Sequence, residues 1–352
     1  MPGTMNAVVM HAPGGPEVLK LETRPIPQPD ATEVLIKVQA FGLNRSELFT
    51  RQGHSPGVRL PRILGIEAVG TVAESPGGQF EPGQVVATVM GGMGRSFDGS
   101  YAEYAVVPAA QIRSLRTNLP WSTLGALPEM LQTAWGALFR SLRLAPGQKL
   151  LIRGGTTSVG LAAIAIARAH RAVVGATSRS AEAESVVKAA GATHFFLDDG
   201  AIAEKVRGVW HGGADKVLEL VGTTTLADSL QATKEPGIVC MAGMVGNQWS
   251  LPQFAPMDVI PTGVSLTTYS GGVADFMAMP LQELVDQVEA GVLPIRLGPV
   301  FPLDQVALAD LGVVQVQHQL EAATVEGALQ AGAANGEPGF IRSEARLGED
   351  AG

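Results

Sequence analysis

Short apolar runs separated by turn residues fill the first third of the chain. Ala7–Met10, Val34–Ala40, Ala68–Ala73, Val85–Val89 and Tyr101–Val107 are strand-like. Glycine and proline clusters at Ala12–Pro16, Pro25–Pro29, Ser75–Gly78 and Gly91–Gly94 part them. This pattern predicts a β-rich unit of barrel or sandwich type. Near Pro120 the period changes. Leu127, Met130, Leu131, Ala134 and Leu138 recur at helical spacing and predict one long helix over Leu124–Arg143.

Strands and helices then alternate. Lys149–Ile152, Ala172–Ala176, His194–Leu197, Lys216–Leu220, Ile238–Met241 and Val264–Thr268 predict strands. Val159–His170, Ala181–Ala190, Leu226–Ala232 and Met279–Ala290 predict helices. That succession implies a doubly wound parallel sheet. Residues 292–306 read as a return to the β-rich unit, and Val314–Leu329 as a helix. The expected division is 1–123 and 292–330 for one domain, 124–291 for the other, and a disordered tail over 331–352.

Composition narrows the class. Of 352 residues 46% are hydrophobic and 16% charged, enough for a sizeable core. The net charge of −8 gives no electrostatic footprint for nucleic acid or an anionic membrane. No run of apolar residues is long enough to span a bilayer, and the first residues do not read as a secretory signal. The single cysteine, Cys240, excludes an internal disulfide and any multi-cysteine metal site. A cytoplasmic protein is expected.

The chemistry-bearing motif is Leu150–Gly160, a strand running into a glycine-containing turn that opens a helix. A dinucleotide's pyrophosphate binds at such a helix N-terminus, where backbone N–H groups and the helix dipole favour negative charge. Gly155, Thr157 and Gly160 take the three places of the G-x-G-x-x-G fingerprint, with threonine as the second. The expected cofactor-binding residues here are Gly154, Gly155, Thr156, Thr157, Ser158, Val159 and Gly160. A ligand-free glycine turn is the alternative. The next strand ends in Thr177, Ser178 and Arg179. An NAD site wants an acid there for the ribose 2′-hydroxyl. A hydroxyl and a cation instead suit a 2′-phosphate, so NADPH is favoured over NADH. The alternative is that Arg179 caps a surface loop.

From Met5 to about Val306 the chain resembles the medium-chain dehydrogenase/reductase superfamily. It is most similar to the zinc-free, zeta-crystallin-like quinone oxidoreductase branch. The resemblance is carried by Gly42–Glu47, Leu64–Gly70, Phe97–Tyr104, Leu127–Gly136 and the 150–160 turn, in order and spacing. It implies a GroES-like catalytic domain built from both chain ends, with a Rossmann domain inserted and NADPH in the cleft between them. Zinc-dependent relatives place a cysteine ligand where this chain has Asn44 and a histidine where it has Ile66. The six histidines are scattered, so no metal is expected.

The resemblance makes Asn44 the candidate catalytic residue, a polar contact near nicotinamide or substrate; the alternative is a turn residue. Thr133 looks like a cofactor-contact hydroxyl, or an ordinary helix threonine. In related enzymes the loops after strands four to six line the cofactor. They add Val221, Gly222, Gly243, Met244, Val245, Tyr269 and Ser270. Some relatives have a tyrosine where Phe49 stands, so no tyrosine acid is expected there, and the proton is expected to come from water. Phe49, Met93, Phe97, Leu131 and Phe254 are the expected apolar pocket lining. Val264–Thr268 is the expected edge strand of a homodimer.

The expected activity is NADPH-dependent, zinc-independent reduction of a quinone or an α,β-unsaturated carbonyl. The alternatives are an enoyl or enone reductase of a biosynthetic pathway, and a non-catalytic NADPH-binding protein. One departure stands out. The family closes on a Gly-Lys strand, whereas Leu308–Gly352 offers no Gly-Lys pair and no clean terminal strand. Val313–Val316 is a poor substitute.

Overall fold

Residues with apolar side chains on both faces can sit only in the middle of a layered structure. Lys149–Arg153 and Ala214–Glu219 are two such strands, and they lie side by side at the centre of a parallel sheet. The computed structural model describes residues 3–315 and 322–326. The first unit contains β1 (Thr4–Met10), β2 (Leu19–Pro25), β3 (Glu33–Gly42), α1 (Arg45–Arg51), β4 (Arg62–Ile63), β5 (Glu67–Glu74), β6 (Val85–Val89), β7 (Tyr104–Pro108) and β8 (Ile112–Ser114). Then come α2 (Trp121–Gly125) and α3 (Pro128–Gly136).

The second unit runs β9 (Lys149–Arg153), α4 (Ser158–Ala169), β10 (Val173–Ser178), α5 (Glu184–Ala190), β11 (His194–Leu197), α6 (Ala203–Val209), β12 (Ala214–Glu219), α7 (Thr223–Gln231) and β13 (Thr233–Met241). It continues with α8 (Pro256–Val259), β14 (Val264–Thr268), α9 (Val273–Ala278) and α10 (Leu281–Glu289). The chain then returns through β15 (Leu297–Pro302), α11 (Val306–Gln315) and β16 (Ala322–Glu326).

The six parallel strands are ordered β11-β10-β9-β12-β13-β14. This is the doubly wound order 3-2-1-4-5-6, with a switch point between β9 and β12 where ligands bind at the carboxyl ends. Gly160 through Ala167 of α4 are all buried, so this helix is enclosed rather than amphipathic. The first unit holds two further sheets, β2-β1-β4 and β15-β16-β3-β5-β6-β8, with β7 also on β3. The β-rich unit and the parallel sheet are those the sequence pattern implies.

Three expectations are corrected. The long helix over Leu124–Arg143 is broken into α2, α3 and a π-type turn at Ala137–Ser141. Pro128 is the reason: it lacks an N–H and so starts a helix but cannot continue one. The expected helix over Val314–Leu329 is not present as such, because α11 spans Val306–Gln315 and Ala322–Glu326 is a strand. That strand also supplies the terminal strand the sequence lacks on its face. β16 pairs antiparallel with β3 and parallel with β15, with Val325 opposite Phe41 and Phe301. Val313–Gln315 is helical instead. The tail expected over 331–352 lies outside the described residues. Helices α6 and α9 were not foreseen, being short and flanked by glycine.

One buried ion pair fastens α11 to α1. Arg51 Nε lies 2.8 Å from Asp310 Oδ2, and the side chains are 3% and 4% exposed. Arg51 also donates to the Gly14 carbonyl. Replacing Asp310 with alanine strands a guanidinium in the core. A loss of about 3–5 kcal/mol in unfolding free energy is expected from urea denaturation. A change below about 1 kcal/mol would show that α11 is held by other contacts.

Candidate active site

The turn between β9 and α4 is built from backbone constraints. Gly154 has φ +82°, a conformation that L side chains resist. A Cβ on Gly160 would stand 2.6 Å from the Gly154 carbonyl oxygen and 2.9 Å from Gly155 Cα. Only glycine allows the helix this close to the strand. Thr157 is the N-cap, its hydroxyl accepting the Gly160 amide at 3.0 Å and donating to the Gly154 carbonyl at 2.9 Å. The threonine in the second fingerprint place therefore closes the turn itself. Thr156 precedes the cap, and Ser158 and Val159 open the helix, where first-turn amides have no intrahelical acceptor. This is a fit for a pyrophosphate.

Beneath the turn lies a buried charge cluster. Arg153, the last residue of β9, is fully buried. Its Nε and Nη2 donate to the two oxygens of Asp198 at 2.9 and 2.8 Å, and its Nη1 donates to Asp228 at 2.6 Å. Burial alone would push the Asp198 carboxyl up, but the Arg153 hydrogen bond and charge outweigh it and hold the carboxyl low. Thr177 donates to Asp198 at 3.1 Å and accepts the Gly154 amide at 3.1 Å. Thr177 thus supports the turn from below. Ser178, half-buried, and Arg179, exposed, end β10 above it.

The other strand ends converge on the same side. Glu219 accepts the Val221 and Gly222 amides at 2.7 and 2.9 Å. Burial pushes its carboxyl up, against hydrogen bonds from Ser229 and these amides and the Arg153 charge. Gly243 lies so close to β12 that a Cβ would stand 2.4 Å from the Leu220 carbonyl oxygen. Met244 and Val245 follow it, half-buried. Tyr269 packs its ring against Gly136 of α3, while Ser270 is exposed.

The first unit meets this surface through a chain of hydrogen bonds. Asn44 precedes α1 and donates through Nδ2 to Glu67 Oε1 at 2.8 Å. Glu67 Oε2 accepts the Glu129 amide at 2.8 Å. Glu129 Oε1 accepts the Thr133 hydroxyl at 2.7 Å. Asn44 and Thr133, expected at the cofactor from two different segments, are thereby joined. Glu47 accepts the Ile66 amide at 2.9 Å, and its other oxygen is buried without a partner. Burial pushes Glu47 to about 8, Glu67 well upward and Glu129 upward. Among the described residues no group of three or more His, Cys, Asp or Glu is arranged to hold a metal.

Contacts between the units include two on the loop after β13. Arg45 donates to Asn247 at 2.8 Å, and Phe49 meets Trp249 edge-on with ring centroids 4.6 Å apart. The expected pocket lining is corrected in part. Met93 and Leu131 are sealed in the cores at 1% and 0% exposure. Phe97 lines a separate cavity of about 400 Å³ with Met5, Arg24, Ile63 and Tyr104. Sequence reading missed Glu67, Glu129 and Arg153. Their signal was a lone charge inside an otherwise apolar run.

The glutamate cluster makes stability depend on pH. Unfolded, Glu47 titrates near 4.5; folded, near 8. The folded state keeps the proton longer, so its stability is full below 4.5 and declines as pH rises to about 8. Urea midpoints across this window should fall for the wild type and fall less for Glu47→Gln. Parallel curves for the two proteins would contradict the assignment.

The comparisons with known proteins agree with this geometry. Residues 30–117 match the alcohol dehydrogenase GroES-like domain, and residues 158–287 match the zinc-binding dehydrogenase family. Quinone oxidoreductase from Sus scrofa is 30% identical over 320 residues, covering 88% of this chain and 94% of the relative. Acryloyl-coenzyme A reductase from Sulfurisphaera tokodaii is 27% identical over 271 residues, covering 68% of this chain and 77% of the relative. A mycobacterial protein solved in complex with NADPH superposes with TM-score 0.79 at 25% identity, covering 92% of this chain and 99% of that one. The chain is an oxidoreductase that belongs to the medium-chain dehydrogenase/reductase superfamily, in its quinone oxidoreductase branch.

Proposed function

We propose that the protein is an NADPH-dependent, zinc-independent reductase of quinones or α,β-unsaturated carbonyl compounds. One observation carries the reading. The Asn44–Glu67–Glu129–Thr133 chain runs from the first unit onto α3, and α3 packs on α4, the helix that the glycine turn opens. A bound nicotinamide cofactor would supply hydride; the protein supplies position and electrostatics. The first turn of α4 holds the pyrophosphate, and Ser178 and Arg179 the 2′-phosphate. Asn44, fixed by Glu67, orients the nicotinamide or the substrate carbonyl. An activated alkene or quinone is already electrophilic, so it accepts hydride without a Lewis acid. Asn44 and Ile66 stand where zinc-dependent relatives carry ligands, which supports the zinc-independent reading.

Reduction of an enoyl thioester is a second reading, favoured by the likeness to acryloyl-coenzyme A reductase. The position of β14 at the sheet edge supports a homodimer joined through that strand.

Fluorescence titration tests the cofactor. NADPH should bind more tightly than NADH. Arg179→Ala should weaken NADPH about 10–100-fold, the loss of one charge-assisted contact, and leave NADH unchanged. Equal losses for both cofactors would contradict a phosphate-reading role. Oxidation of NADPH by a naphthoquinone, a simple enone or an enoyl thioester then separates the two substrate readings. No oxidation by any of them would leave a binding protein.

A further inference from the structure

Hydride transfer to a quinone or enone leaves an anion that needs a proton. Water was the expected source. Helix α3 contains a second candidate. Glu129 and Thr133 lie one turn apart on α3, in hydrogen-bond contact at 2.7 Å. Both are half-buried. A hydroxyl can donate and accept, so the contact works in either direction.

We propose that Glu129 and Thr133 are the proton-delivery pair of this reaction, the Thr133 hydroxyl protonating the reduced substrate and Glu129 replenishing it. This rests on the reductase reading above. The cofactor's hydride brings the electron pair. The substrate anion then bonds to the Thr133 proton as the Thr133 O–H bond breaks. The Glu129 carboxyl gives its proton to Thr133 Oγ1 and is left as carboxylate. Glu129 regains a proton from solvent. Hydride and proton together complete the reduction, and no further reactant is consumed.

The surroundings suit Glu129 to hold a proton. The groups that face it are acids or neutral. Glu67 from β5 accepts its amide, and Glu47 from α1 is near enough to both glutamates for their charges to repel. The Tyr269 phenol after β14 is near enough to feel its charge. Thr133 provides its one side-chain hydrogen bond. Carboxyls packed this closely cannot all ionise at neutral pH, so the group retains protons as a set. Both Glu67 oxygens are occupied as acceptors, by Asn44 and by the Glu129 amide. Glu67 thereby fixes the start of α3, and with it the aim of Glu129.

The test uses the full chain with NADPH and a quinone or enone that the wild type reduces. Glu129→Gln, close in shape, should bind NADPH as the wild type does by fluorescence titration. Its kcat should fall on the order of 10²-fold. The wild-type rate should decline as pH rises through deprotonation of the carboxyl set, and the variant should lose that limb. Thr133→Val should show the same loss with Glu129 intact, and Thr133→Ser should restore the rate. Infrared spectra of the cofactor-free protein provide a readout independent of turnover. A protonated-carboxyl band present near neutral pH should weaken in Glu129→Gln. Glu129→Gln turning over at the wild-type rate with an unchanged pH profile overturns the proposal and leaves the reductase reading intact. A wild type that binds NADPH and reduces none of the substrates overturns the reductase reading, and the proposal falls with it.

Discussion

The carboxyl ends of the parallel strands depend on one buried guanidinium. Arg153 ends the central strand β9 with no exposed side-chain surface. An unpaired charge there would cost several kcal/mol, so its partners must stay in place. Asp198 comes from the end of β11 and Asp228 from α7. Asp228 also accepts the Ile202 and Ala203 amides and so caps α6. Asp198 holds Thr177, and Thr177 holds the Gly154 amide. Glu219 adds the β12 end by binding two amides of its loop. A single charge thus sets the relative positions of the strand ends at which the cofactor is proposed to bind. The loops that line such a site are usually its mobile parts; here they are anchored from below.

The second constraint crosses between the units. Glu67 belongs to β5, yet it holds Asn44 with one oxygen and the start of α3 with the other. The polar residues of the first unit are therefore registered against the helix that packs on α4. Arg45–Asn247 and Phe49–Trp249 close the same interface nearer the solvent. Glu67 is buried, so losing either partner leaves a carboxyl oxygen with no water to turn to. Position is what a hydride-transfer site needs most, and this arrangement supplies it before any ligand arrives.

Much of this was legible in the sequence. Continuous apolar runs such as Lys149–Ile152 and Lys216–Leu220 mark strands buried on both faces, and they gave the parallel sheet nearly residue for residue. The phosphate turn was visible through Gly155 and Gly160, whose missing side chains the packing demands. Less was legible where tertiary contact decides. β16 has only Thr324 and Val325 as β-branched residues, and it is a strand because β3 and β15 offer unpaired edges. Thr177 read as a cofactor contact because it ends a strand, but its hydroxyl is spent on Asp198. Glu67 and Glu129 lie within Leu64–Gly70 and Leu127–Gly136, and no pattern in the sequence marks them. Periodicity treats a charge in an apolar run as noise, whereas packing makes it a buried hydrogen-bonding centre.

The central claim is that NADPH bound in this cleft gives its hydride directly to the substrate. NADPH deuterated at the transferable position of the nicotinamide, incubated with an enone, tests it by mass spectrometry of the reduced product. The account predicts deuterium on the carbon β to the carbonyl, with the α hydrogen drawn from solvent. Product without that deuterium, or deuterium lost to water, would contradict direct transfer and with it the reductase reading.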